Sequence, residues 1–284
     1  MKIARKPEWL RKQVRPAAHA EMERLLETLR LNTVCREARC PNVTECFRQK
    51  QATFLILGTS CTRLCTFCSV AKSAPLPVDP GEPARVAAAV ARLALAHVVI
   101  TSPTRDDLPD GGAAVYAATV TAIRGRSPST RIELLIPDFQ GSRSSIARIA
   151  DAGPDVIGHN LETVPRLYAI RPGAGYRRSL DVLVTAKEVS PAAPTKSGLM
   201  LGLGESLDEV RGVLADLKEA GCSYISLGQY LAPSRRHRPV AEFIPPGTFD
   251  LLKREALRMG FAHVESGPYV RSSYHASAYA IEEN

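Results

Sequence analysis

Six short apolar runs, helical segments between them and polar or glycine-rich residues after nearly every run predict an α/β fold: a partial (β/α)6 TIM-like barrel with N- and C-terminal extensions. Strands that run the same way need a helical crossover between them, which is why strict alternation points to a parallel sheet. Periodicity alone leaves a doubly wound sheet open. The polar residues that gather after the strands favour the barrel, whose functional groups sit at that end.

The chain opens on the basic segment MKIARKPEWLRKQVRP, where Pro7 and Pro16 oppose a helix and Glu8 and Trp9 interrupt the apolar stretch an export signal requires. This segment is expected to wrap the folded body, and the expected location is the cytoplasm. Strands are expected over residues 52–58, 97–102, 131–136, 155–161, 196–203 and 223–230. Between them EPARVAAAVARLAL, GGAAVYAATVTAIRG, SRSSIARIADAG, RSLDVLVTAKEVS and SLDEVRGVLADLKEAG place apolar residues at helical spacing, several with Gly just beyond the end. No linker separates these units. The expected division is an N-terminal extension, 1–50, carrying three cysteines; a barrel, 51–240; and a C-terminal extension, 241–284.

With 45% hydrophobic and 23% charged residues and no apolar run approaching ~18, the sequence reads as a soluble globular protein without a membrane span. Its seven cysteines are an odd number, and six lie between residues 35 and 68. A disulfide framework would need an oxidising compartment and a smaller domain, so metal or cluster ligation is favoured. Cys222 reads as a buried structural thiol. The net charge of +8 calls for an acidic partner or anionic ligand. RRHR, residues 235–238, is either a solvated loop or a docking patch for such a partner.

The stretch CTRLCTFC directly follows the first strand, so Cys61, Cys65 and Cys68 occupy the first loop at the barrel mouth. Upstream, CREARCPNVTEC supplies Cys35, Cys40 and Cys46. A structural zinc takes four Cys or His ligands, and no His lies near enough in sequence to complete either trio simply. A four-iron, four-sulfide cluster has four corners, so three thiolates leave one iron open to another ligand.

The C-x3-C-x2-C spacing, the aromatic Phe67 before the last cysteine and the position after a strand resemble the radical S-adenosylmethionine superfamily. The upstream trio narrows the resemblance. KPEWLR, CREARCPNVTECF, ATFLILGTSCTRLCTFC, RDDLPDGG, IELLIPDF, HNLETVPRLY, TKSGLMLGLGE, GQYLAPS and GPYVRSSYHA are similar, in order and nearly end to end, to motifs of the lipoyl synthases. The resemblance implies two 4Fe–4S clusters. One, on Cys61, Cys65 and Cys68, chelates the methionine moiety of S-adenosylmethionine, with Phe67 near the adenine. The other, on Cys35, Cys40 and Cys46, takes its fourth ligand from a serine of RSSY: Ser273, with Ser272 as the alternative, since sequence orients neither hydroxyl. Oxygen is a harder donor than iron in a sulfide cluster prefers, so that corner should be labile, and Arg271 beside it would favour the ionised serine.

RDDLPDGG and NLETV follow the second and fourth strands, which places Asn160, Glu162, Arg105, Asp106 and Asp107 as candidate contacts to S-adenosylmethionine; helix capping and salt bridging are their alternative roles. The glycines of GLMLGLGES allow close backbone approach to a nucleoside. His159 and Lys196 read as satisfied barrel residues, and Gln229 and Tyr230 either line an acyl channel or close the barrel. Pro103, Thr104 and Gly158 depart from the family pattern without touching a cluster ligand.

By resemblance, the reaction inserts two sulfur atoms, at C6 and C8, into a protein-bound octanoyl-lysine. It uses S-adenosylmethionine as the source of a deoxyadenosyl radical and the auxiliary cluster as the consumed sulfur source. The implied partners are an octanoylated lipoyl carrier domain (2-oxoacid dehydrogenase E2 or glycine cleavage H protein), an electron donor such as ferredoxin or flavodoxin, and a cluster-assembly protein. Two rivals share part of the pattern. Another sulfur-inserting or methylthio-transferring radical enzyme would need a different account of the upstream trio. A zinc-stabilised nucleic-acid module would use the basic charge, but eight Tyr, seven Phe and one Trp give little sign of a stacking platform, so nucleic acid is not an expected partner.

Overall fold

The structure is a computed structural model that describes residues 6–10, 20–38, 40–48, 51–274 and 276. Of the basic N-terminal segment it describes Lys6 to Leu10, with a 3-10 turn over Glu8–Leu10 whose Leu10 is buried.

Helix α1 spans Ala20–Thr28 and leads into a two-residue strand, β1 (Asn32–Thr33), and two short helices, α2 (Val34–Glu37) and α3 (Val43–Arg48). Thr33 caps α2, its hydroxyl accepting from Arg36 N. The barrel then alternates strand and helix: β2 (Thr53–Leu55), α4 (Glu82–Leu93), β3 (His97–Thr101), α5 (Ala113–Arg126), β4 (Arg131–Leu135), α6 (Arg143–Asp151) and β5 (Val156–Gly158). It continues with α7 (Tyr176–Val189), β6 (Thr195–Leu201), α8 (Leu207–Glu219) and β7 (Tyr224–Gln229), and then α9 (Pro246–Arg258) and β8 (His263–Gly267).

The sheet order is β1 through β8 in sequence, parallel from β2 to β8, with β1 antiparallel to β2. The six expected strands are β2 to β7, and the chain is a partial barrel. The segments outside it add one strand to each edge, β1 and β8. Among the described residues no ladder joins β8 back to β1, so the sheet stays open.

Each helix is held by its apolar stripe. In α8 the buried Val210, Val213, Leu214 and Leu217 share one face, and a capping box between Ser206 and Glu209 satisfies its first turn. Burying one such side chain contributes roughly 1.5–3 kcal/mol, so an aspartate at 214 would break this packing. Helix α4 begins with Pro83 in its first turn, where the missing N–H costs nothing, and ends on Ala94 in the left-handed conformation. Inside the barrel Lys196 Nζ donates to Glu133 Oε1 at 2.9 Å. His159 is buried, with Nδ1 2.8 Å from Ile136 O and Nε2 3.0 Å from Ser179 Oγ. Both are satisfied interior residues. No helix among the described residues is long and apolar enough to cross a membrane.

Candidate active site

The loop after β2 carries Cys61, Cys65 and Cys68 and is tied down on several sides. Cys61 N donates to Ala71 O (2.8 Å), Thr62 N to Thr104 O (3.1 Å) and Thr66 N to Ile170 O (2.9 Å), while Arg238 N reaches back to Thr66 O (3.0 Å). Its tightest anchor is Arg63, a buried guanidinium forked onto Asp106 (2.8 and 3.0 Å) and onto Asp138 (2.9 and 2.6 Å). Burial by itself would raise the Asp138 carboxyl; the hydrogen bonds and charge of Arg63 overcome it and hold the group at about 2. Arg63 is thus a fixed cation clamping the loops after β2, β3 and β4.

The upstream trio is built by two short helices and a turn. Antiparallel pairing of Asn32 and Thr33 with Leu55 and Phe54 lays α2, with Cys35, beside β2. Cys40 N donates to Cys35 O (3.0 Å), and Cys46 N to Asn42 O (3.0 Å) in the first turn of α3. The C-terminal turn is fastened to this unit: Asn42 Nδ2 donates to Tyr269 O (2.7 Å) and Tyr274 Oη to Glu45 Oε1 (3.0 Å). Cys35, Cys40, Cys46, Arg271 and Ser273 consequently line one cavity.

The two serines of RSSY point differently. Ser273 Oγ accepts from Thr53 Oγ1 at 2.6 Å. Ser272 Oγ accepts instead from Asn160 Nδ2 at 2.5 Å, and Asn160 also donates to Glu162 Oε1 at 3.0 Å. The turn fits because two strand residues lack a side chain. A Cβ at Gly228 would stand 2.1 Å from Val270 O, and one at Gly198 would stand 2.9 Å from Asn160 Oδ1 and 3.1 Å from Ser272 Oγ.

A larger cavity of about 440 Å³ runs through the barrel, a size suited to a cofactor and part of a substrate. Phe67, Cys68, Asn160 and Glu162 line it together with Cys35, Cys40, Arg271 and Ser273. One space therefore touches both trios. Its apolar wall includes Val34, Leu135, Leu199, Met200 and Val270. Glu162 sits in the left-handed region (φ 69°), fixed by its N–H on Gly198 O (2.9 Å) and by Met200 N on its own carbonyl (2.9 Å). Such a conformation in a side-chain-bearing residue persists only where its surroundings over-determine it.

Burial pushes the Cys35 and Cys68 thiols up to about 11 and raises Cys65 as well, so metal ligation has to expel protons from them. Arg171 acts in the opposite direction on Cys65, and it opposes the burial that raises the Glu162 carboxyl. Its Nη1 donates to Asn160 O and Leu161 O (3.2 and 2.9 Å), yet its Nε is buried without an acceptor. The donor set fits iron–sulfur clusters: soft sulfur donors in two trios, Cys35 buried and the other five half-buried. Among the described residues no three His, Cys, Asp or Glu side chains, the cysteine trios included, stand close enough together to hold a single metal ion.

Several candidate residues lie elsewhere. Arg105 is buried, donating to Asp107 (2.9 and 2.8 Å) and to Leu57 O (3.0 Å), and Asp106 receives Arg63; none of the three lines the large cavity. Gly202 approaches not a nucleoside but the chain itself, where a Cβ would stand 2.3 Å from Gln229 Nε2 and from Glu242 O. Gln229 bonds only backbone, donating to Leu201 O (3.1 Å) and Glu242 O (3.0 Å) and accepting from Ile244 N (2.8 Å), which seals the last barrel turn. Tyr230 lines the cavity while its hydroxyl donates to Arg238 O at 2.7 Å. Arg63 and Arg171 were not among the candidates. The only signal for Arg63 is its place between two cysteines, and Arg171 lies ten residues past the nearest strand motif, where nothing in the sequence ties it to Cys65.

The profile of the radical SAM superfamily matches residues 55–217. The lipoyl synthase of Geobacter sulfurreducens is 68% identical over 279 residues, 98% of this chain and 92% of that protein. That of Geobacter metallireducens is 66% identical, over 98% and 99%. Among solved structures, methylornithine synthase superposes with a TM-score of 0.55 at 14% identity, over 87% of this chain and 77% of that one, a likeness of fold alone. Identity at this level across nearly the whole of both chains leaves no segment of the site outside the comparison, and the chain belongs to the lipoyl synthase family of the radical SAM superfamily.

Proposed function

We propose that this enzyme inserts two sulfur atoms, at C6 and C8, into an octanoyl chain carried on a protein lysine, at the expense of S-adenosylmethionine. The observation that carries the reading is the single cavity on which Cys68, Cys35, Cys40 and Ser273 all open. When bound, one cluster supplies the electron that cleaves S-adenosylmethionine and the other supplies the sulfur.

The chain's own residues do the rest. Cys61, Cys65 and Cys68 hold the first cluster; Cys35, Cys40, Cys46 and Ser273 hold the second. Phe67, Asn160 and Glu162 face the nucleoside from the barrel mouth, and the apolar wall between the trios receives the acyl chain. Arg271, half-buried and lining both cavities, supplies positive charge near the serine oxygen. Arg105, Asp106 and Asp107 act through the loops they brace. Enclosure within the barrel excludes water from reactive carbon. The protein substrate is a lipoyl carrier domain of a 2-oxoacid dehydrogenase or of the glycine cleavage system, with a ferredoxin or flavodoxin as donor and an assembly protein restoring the spent cluster in the cytoplasm.

Anaerobic reconstitution tests this. The protein should bind roughly eight irons with matching acid-labile sulfide. With reductant and an octanoyl-lysine peptide it should yield 5′-deoxyadenosine and a dithiolated peptide. Ser273→Ala should retain deoxyadenosine formation and lose the completed product. Full turnover by that variant would overturn the serine assignment, and zinc in place of iron would overturn the whole reading.

A further inference from the structure

Ser273 does not hold its place alone. Thr53, the first residue of β2, donates its hydroxyl hydrogen to Ser273 Oγ at 2.6 Å. It is 4% exposed and lines both cavities. The contact spans 220 residues of sequence, and Cys35 lines the same two cavities.

We infer that Thr53 is a positioning residue for Ser273: its hydroxyl directs the serine oxygen onto the upstream trio and remains the donor to that oxygen whether the serine is bound to iron or released. This rests on Ser273 being the fourth ligand. The physical grounds are two. A β-branched side chain on a strand has restricted χ1, so the Thr53 hydroxyl cannot swing away as a freer one could. The strand itself is pinned on both sides, Thr53 pairing with Val99 of β3 and Phe54 with Thr33 of β1. The chain thus supplies a fixed donor to an oxygen that is a poor match for iron in a sulfide cluster.

The test compares Thr53→Val, which keeps the volume but removes the donor, with Thr53→Ser, which keeps the donor, in the reconstituted full chain. Iron release to a chelator and the electron paramagnetic resonance signal of a three-iron form after mild oxidation report the upstream cluster. The iron that the chelator leaves behind reports the other cluster. The valine variant should lose iron from the upstream site roughly tenfold faster or more, the scale of one hydrogen bond to a charged group, with the other cluster's iron retained and serine restoring the wild-type rate. A valine variant that holds iron as wild type does overturns the inference, and so does a serine variant as leaky as valine, which would mark a packing role. Iron release unaffected by Ser273→Ala would instead overturn the ligand assignment beneath it.

Discussion

Arg63 sits between two cysteines of the cluster loop and commits its hydrogen bonds to Asp106 and Asp138. Removing one partner of a buried pair leaves the others desolvated and uncompensated, a loss of roughly 3–5 kcal/mol. Arg63→Ala should therefore lower the melting temperature by many degrees and abolish deoxyadenosine formation. Arg63→Lys, which keeps the charge without the planar fork, should recover only part of either. Unchanged melting and turnover in Arg63→Ala would show the clamp to be dispensable. The same geometry explains why Asp106 is a loop brace: its carboxylate points at a guanidinium inside the cysteine motif, a pairing 43 residues apart that no local pattern announces.

At the scale of elements, the strand glycines matter most. Gly228→Ala would put a methyl carbon into the Val270 carbonyl and push the RSSY turn off β7. Iron per chain should fall from roughly eight to roughly four, with the signal of the Cys61–Cys65–Cys68 cluster intact; retention of both clusters would show that the turn can yield. Much of this level is readable from sequence. The six barrel strands and five of the helices follow from apolar runs and helical spacing, and even α9 shows it in Phe249, Leu252 and Ala256. Strand β8 does not, because HVESG holds one aliphatic residue and is buried only over its first two positions. Both cysteine trios are legible as local spacing. The choice between Ser272 and Ser273 is not, since it depends on which wall each hydroxyl meets, Asn160 from one loop or Thr53 from the first barrel strand.

For the whole molecule, the net charge of +8 needs a purpose at the place where a protein substrate arrives. Arg235 and Arg236 are exposed, and neither has a carboxylate partner among the described residues. They lie between Pro233, which lines the large cavity, and Arg238, whose N–H is bonded to the cluster loop. Reversing both to glutamate should raise KM for an intact octanoylated carrier domain about tenfold, with the effect shrinking in high salt, and leave turnover of a short octanoyl-lysine peptide as it was. Equal effects on peptide and carrier would place these arginines in the chemistry instead of at a docking face.

Ser273, whose oxygen is proposed above to close the upstream cage, is separated from Thr53 of β2 by 220 residues. At about 5–20 residues per second, a ribosome needs roughly ten to fifty seconds to add that stretch. Throughout that interval a nascent chain displays three thiols with no serine to close them. On that proposed ligand set, full metallation of this centre would be an event of the finished polypeptide.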